Sequence, residues 1–121
     1  MTTTTPSADT TKHAYFMLVR TTADWLRLSP PERFAFVDET IKPLLRRNPA
    51  VTMRYFDSEA FNSRVTDVIL WETTEILAYQ RVVEELRETR FWGTYFGIVE
   101  IVAAIEDAYA SQYDVAAYGK P

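Results

Sequence analysis

Glu100 is the acid with the sharpest chemical implication in this 121-residue chain. It stands alone in the apolar run FGIVEIVAA, residues 96–104. A carboxylate in such surroundings is either paired or has a raised pKa, and a raised carboxyl makes a general acid or base. The plainer alternatives are a salt bridge to Arg20 or Arg54, or an edge position that leaves the acid in solvent. Glu72 closes a second apolar run, VTDVILWE, directly after Trp71. Across a hairpin it pairs with Arg54, and an Arg–carboxylate pair between strands is usually structural. Facing a cavity, the same arginine would instead hold a substrate carboxylate or enolate. Glu100, Glu72 and Arg54 are therefore the candidate catalytic residues.

Tyr15, Tyr55, Trp71, Phe91, Trp92, Tyr95 and Phe96 form an aromatic set in a chain that is 14% aromatic. Aromatics at strand and helix spacing are most often core. Apolar pockets for flat ligands also use them, with a few polar handles. Tyr15, Tyr55, Trp71, Trp92, Tyr95 and Phe96 are the candidate substrate-binding residues, and the Trp92–Phe96 cluster is a candidate pocket mouth. His13, the only histidine, precedes the first strand. It reads as a solvated residue at an element boundary, or as a proton shuttle. Asp57, Glu59 and Asp67 put three acids on one hairpin. Oxygen clusters can hold Mg²⁺ or Ca²⁺, but this spacing matches no known loop. A solvated hairpin bridged by Arg64 is expected, and no metal site is assigned.

Composition narrows the chemistry further. Seventeen acids against thirteen Lys and Arg give a net charge of −4, which argues against a phosphate-backbone binder. The absence of cysteine excludes disulfides, thiol nucleophiles and Cys-ligated zinc. Three glycines, at 93, 97 and 119, cannot build a phosphate loop. No cofactor is expected. No run reaches the ~20 apolar residues of a membrane span, and the first residues lack a signal-peptide pattern. A cytoplasmic protein is expected.

These residues need elements to position them. Residues 1–12, rich in Thr, read as a disordered leader. A folded domain is expected over 13–109, with a C-terminal tail over 110–121 whose tyrosines dock part of it on the dimer. Residues 14–21 (AYFMLVRT) form a short run of β-formers. Ser29-Pro-Pro-Glu32 is a capping box with proline in the first turn, and Pro43 predicts a kink in the helix that follows. Residues 51–56 and 65–72 read as a hairpin. If Phe61 faces Val65, then Arg54 lies opposite Glu72, Tyr55 faces Trp71, and Glu59 faces Asp67. Thr73 or Thr74 caps a second helix running to about Trp92, striped by Ile76, Tyr79, Val83 and Leu86, with Arg81 and Glu85 paired on its polar side. Residues 96–104 form the last strand.

The order β-α-β-β-α-β is the split βαβ, ferredoxin-like α+β unit. It predicts a four-stranded antiparallel sheet in the order 4-1-3-2 with both helices on one face. The strands are apolar on both parities. Ala14, Phe16 and Leu18 oppose Tyr15, Met17 and Val19, while Ile98 and Val102 oppose Val99 and Ile101. A water-exposed face would alternate with polar residues. A homodimer through the open sheet face, making a dimeric α+β barrel, buries the second side.

The stretches WLRLSPPERFAFVDETIKPLLRRNPAVTMRYFDSEAF, VTDVILWET and VVEELRETRFWGTYFGIVEI, running on into EDAYA, resemble the darcynin family over residues 15–109. That resemblance implies the fold and brings no established activity. More distantly, VILWE followed by a helix closing on ETRFW resembles the antibiotic-biosynthesis monooxygenases and other dimeric α+β barrels. Some of those barrels bind haem. Arg90-Phe91 stands where they have a Pro-His-Phe. The resemblance implies a cofactor-independent monooxygenase, cyclase or isomerase acting on a hydrophobic, aromatic small molecule through an apolar pocket and a carboxylate. The alternative is a non-catalytic small-molecule-binding or accessory dimer.

Overall fold

The computed structural model describes residues 10–120. Four strands, β1 (His13–Thr21), β2 (Val51–Asp57), β3 (Asp67–Thr73) and β4 (Phe96–Ile105), form one antiparallel sheet in the order β2-β3-β1-β4. This is the α+β, ferredoxin-like arrangement predicted from the sequence. The leader expected over residues 1–12 lies largely outside the described residues. Lys12 is already tied to the sheet end, where its carbonyl accepts from the Glu106 N–H at 2.9 Å.

The first crossover contains more structure than the sequence pattern suggests. Thr22 caps a one-turn helix, α1 (Ala23–Arg27), by accepting from the Trp25 N–H. Ser29 then opens α2 (Pro30–Phe36) with a complete capping box: its hydroxyl accepts from the Glu32 N–H, and its own N–H donates to Glu32 Oε1 at 2.8 Å. That hydrogen bond holds the Glu32 carboxyl below its usual range. The predicted kink takes the form of a π-helical turn, Val37–Ile41, in which the Lys42 N–H reaches the Val37 carbonyl. Pro43, at the start of α3 (Lys42–Arg47), lacks an N–H and crowds the carbonyl four residues back. The wider turn accommodates both.

The hairpin register differs from the expectation by two residues. Tyr55 pairs with Ile69, Met53 with Trp71, and Asp57 with Asp67. A shift of two preserves which side chains share a face, so Arg54 still reaches Glu72, diagonally, with Nη2 3.0 Å from Oε1. The second helix, α4, is shorter than predicted, at Ile76–Arg87. Thr73 remains in β3, where its hydroxyl donates to the Ala50 carbonyl and accepts from the Glu75 N–H; it does not cap α4. The buried stripe is Ala78, Val82 and Leu86, whereas Ile76 is exposed. Glu85 turns away from Arg81 and accepts from Asn48 Nδ2 at 2.8 Å, with Arg47 Nε at 3.4 Å.

In β4 a bulge shifts the pairing, so that Leu18 meets Glu100 and Val19 meets Ile98, leaving Val99 over. The extra residue reverses the alternation. Ile98 therefore shares its face with Ile101, and Val102 joins Glu100 on the other, which corrects the simple parity expected for this strand. Met17, Val19, Ile69, Trp71 and Phe96 face the helices and form the core with Leu44, Val82 and Leu86. The opposite face shows Phe16, Leu18, Phe56, Val68 and Val102 among Arg54, Glu72 and Glu100. After β4 a short helix, α5 (Ala108–Gln112), follows. Ala110 is buried, while Tyr109, Tyr113 and Tyr118 stand exposed.

Candidate functional site

A cavity of about 690 Å³ lies between the helix-facing side of the sheet and the first crossover. Its floor is Met53 and Tyr55 from β2 and Ile69 and Trp71 from β3. Trp25, Phe36, Val37 and Ile41 close it from α1, α2 and the π-helical turn, and Leu86, Phe91 and Phe96 close the back. Leu26 and Phe34 line it while remaining exposed, so they form its rim. Most of this wall is apolar, as small-molecule sites are.

The polar groups concentrate at one end. Asp57, Glu59 and Asp67 all line the cavity, and one carboxylate oxygen of each lies within 4.8 Å of the others. Asp67 is only 5% exposed. Its Oδ2 accepts from the Thr66 hydroxyl at 2.7 Å, and the Tyr55 hydroxyl and the Asp57 carboxyl lie beside it. Burial raises the Asp67 carboxyl above its ordinary range, outweighing the Thr66 and Tyr55 hydroxyls that favour the anion. The Tyr55 phenol is held well above its usual value, first by desolvation and then by the Asp67 charge. A buried carboxyl beside a second acid and a phenol can hold, give or take a proton. Among the described residues the Trp71 indole Nε1–H, in the cavity wall, finds no acceptor, although the residue is 1% exposed.

The solvated, Arg64-bridged hairpin expected for these acids forms only in part: Asp57 and Glu59 are exposed, while Asp67 is buried and Arg64 bridges none of them among the described residues. Arg64 instead lies 3.9 Å from Glu100, and Asp67 faces inward because it shares the parity of Ile69 and Trp71 on β3. Of the other predicted residues, Tyr55, Trp71 and Phe96 line the cavity. Tyr15 does not; it stacks flat on Tyr79 with ring centroids 3.6 Å apart, and burial with Tyr15 alongside pushes the Tyr79 phenol up to about 12. Tyr95 packs edge-on against Phe36 at 4.9 Å and lines a smaller recess with Arg90. Trp92 lies beneath the Arg87 guanidinium, 6.0 Å from its ring.

Glu100, Glu72 and Arg54 all belong to the sheet face opposite the cavity. Glu100 pairs across the ladder with Leu18, its carboxylate half-exposed beside Arg64. It is neither buried nor joined to Arg20, whose guanidinium donates to the Ser63 carbonyl. Arg54 and Glu72 bond each other. Sequence reasoning missed Trp25, Phe36, Val37 and Met53 as cavity walls. The signal for Trp25 was present in Thr22 as an N-cap with Asp24 in the first turn.

A haem held through histidine does not fit this cavity. His13 is the chain's only histidine, and it sits at the start of β1, opposite Thr73 and Ile105, away from the cavity wall. Among the described residues no helix is long and apolar enough to cross a membrane.

Comparison with solved structures supports the fold. A putative chlorite dismutase superposes with a TM-score of 0.69 at 22% identity, over 91% of this chain and 50% of that one. A mutant chlorite dismutase from Candidatus Nitrospira defluvii gives 0.67 at 14% identity, over 78% of this chain and 40% of the other. The chain thus spans half or less of the length of these structures. Among sequences, a darcynin homolog of Granulibacter bethesdensis is 48% identical over 99 residues, 81% of this chain and 80% of that protein. One from Streptomyces avermitilis is 41% identical over 99 residues, covering 81% and 82%. The family model described as darcynin, domain of unknown function, matches residues 1–120. With its cavity, its four-stranded sheet and these relatives together, the chain belongs to the darcynin family.

Proposed function

We propose that the protein takes a small hydrophobic molecule into the cavity between sheet and helices and exchanges a proton with it, as a cofactor-independent enzyme of the monooxygenase, cyclase or isomerase kind. The observation that supports this is Asp67: a buried carboxyl, raised by desolvation and set beside Tyr55, in the wall of a mostly apolar cavity. Glu100, Glu72 and Arg54 lie on the far side of the sheet, so this reading gives the carboxylate role to Asp67. The apolar wall excludes water, which strengthens each electrostatic interaction with the guest. Asp67 moves the proton, and the Tyr55 hydroxyl steadies the charge left behind.

The reading also includes a second copy of the chain on the open sheet face. Phe16, Phe56 and Val102 are exposed there, and a patch of this kind marks an interaction surface. Packing two such faces together gives the dimeric barrel.

The test uses N-phenyl-1-naphthylamine as an apolar probe, together with ¹³C NMR of the Asp67 carboxyl. The probe should brighten with one site per chain, and Val37→Trp should fill the cavity and suppress it. A carboxyl titrating above the ordinary aspartate range should vanish in Asp67→Asn. Probe binding without such a carboxyl would leave the protein a non-catalytic binder. Absence of probe binding would overturn the reading altogether.

A further inference from the structure

Two elements of the fold are held differently from the rest. Each strand, the π-helical turn, α3, α4 and α5 holds at least one buried residue, whereas α1 and α2 hold none. Their inward side chains are nevertheless apolar. Trp25, Leu26, Phe34 and Phe36 line the cavity, and Leu26 and Phe34 are 62% and 69% exposed at its rim. The two helices are tied to each other: Arg33 on α2 donates from Nε and Nη2 to the Trp25 and Leu26 carbonyls at 3.1 and 3.0 Å. Each also has its own N-cap. Residues 23–36 are thus one stiff piece, and a piece with so little buried surface opens at low cost. Both of its ends are suited to turning. Thr22 alone joins it to β1, fixed by its N–H to the Tyr95 carbonyl at 3.0 Å and by its hydroxyl to the Thr94 carbonyl. At the other end the Val37 N–H is shared between the Arg33 and Phe34 carbonyls, and the π-helical turn follows. A break of that kind in the hydrogen-bond ladder is where helices bend. Trp25 is the latch, its ring packed on Tyr95 and Phe96 with centroids 5.4 and 4.9 Å away.

We propose that residues 23–36 are a lid over the cavity, pivoting at Thr22 and at the π-helical turn, which folds down on a guest and buries Leu26 and Phe34 against it. The inference rests on the small-molecule reading above and supplies the means by which that site is shut from water. The cavity separates the apolar edge of α1 and α2 from the sheet, so the sheet gives Leu26 and Phe34 no surface to bury against. A hydrophobic guest gives them one. Closure is therefore coupled to binding, because the guest makes contacts in the closed arrangement that it cannot make in the other. The capping box and the Arg33 bonds keep the piece stiff while it moves, so the motion is a hinge rotation and not a local unfolding.

The chain has no cysteine, so introduced thiols are its only sites for spin labels. Arg27 on α1, Phe61 in the β2–β3 hairpin and Glu88 after α4 are exposed and lie outside the cavity wall. Distances are read by double electron–electron resonance in two doubly labelled full chains, Arg27→Cys with Phe61→Cys and Phe61→Cys with Glu88→Cys. Saturating N-phenyl-1-naphthylamine should shorten and narrow the 27–61 distance, whose ends flank the mouth, and leave the 61–88 distance as it is. In hydrogen exchange, the amides of residues 23–36 should exchange faster than those of β1 and β3, and the probe should slow them about tenfold. Leu26→Ser with Phe34→Ser should keep the urea midpoint, release the probe severalfold faster and cancel the shortening of the 27–61 distance. Probe binding with an unchanged 27–61 distance and unprotected α1 and α2 amides overturns the lid and leaves the cavity reading standing. A 61–88 distance that shifts equally overturns it too, since the moving part is then the hairpin. If the probe does not bind, both readings fall.

Discussion

Asp57 and Asp67 are direct partners across the β2–β3 ladder, a carboxylate oxygen of each within 4.8 Å of the other at the end of an apolar cavity. Two acids in that relation cannot both ionise cheaply. Burial first, and the neighbouring acid after it, let Asp67 keep its proton at pH values where an exposed aspartate has lost it.

Stability should therefore depend on pH through Asp67. Its carboxyl is raised above the unfolded value of 3.8, so the folded chain binds the proton more tightly than the unfolded one. The stabilisation is fully present below the unfolded pKa and is lost as pH climbs through the folded pKa. Urea midpoints measured upward from pH 4 should fall for the native chain. Asp67→Asn should flatten that slope, and an unchanged slope would place the titration elsewhere.

Glu100→Gln should leave the fold, the naphthylamine binding and the Asp67 titration as they are. Glu100 is exposed beside Arg64 on the far sheet face, and such surface pairs contribute about 0–1 kcal/mol. Loss of binding in this variant would return the carboxylate role to Glu100.

Phe16 is 37% exposed at the centre of the open sheet face. Sedimentation should show the native chain as a dimer at micromolar concentration and Phe16→Asp as a folded monomer. A monomeric native chain would remove the barrel.

Ser29→Ala should cost about 1 kcal/mol in urea denaturation, because it removes one half of the capping box at the start of α2. Leu86→Ala, at a fully buried position in the same wall, should cost more, about 2–5 kcal/mol.

The fold was legible because its signals are local and mutually consistent. The Ser29–Glu32 box, the β-formers of residues 14–21 and the apolar run of β4 each point to one element, and their order leaves one topology. The site was less legible because it depends on register. Glu100 reads as buried when its apolar neighbours are counted, but the bulge at Val99 and the lack of any helix over that face put it in solvent. Asp67 reads as solvated because it sits among turn residues and acids. Its place on the parity of Ile69 and Trp71 in β3 turns it inward, and that depends on the strand beginning at Asp67, next to the turn, where sequence is least informative. Trp25 and Val37 belong to the crossover, whose path across the sheet no periodicity reports.

The π-helical turn at Val37–Ile41 has an evolutionary reading. Such a turn amounts to one residue inserted into an ordinary helix. Deleting a single codon within it would swing everything upstream by about 100° relative to α3, with Pro43 pressed against the carbonyl that the wider turn now spares. Phe34 and Phe36 would leave the cavity together. One deletion thus offers relatives a short route to a differently shaped chamber on an unchanged sheet.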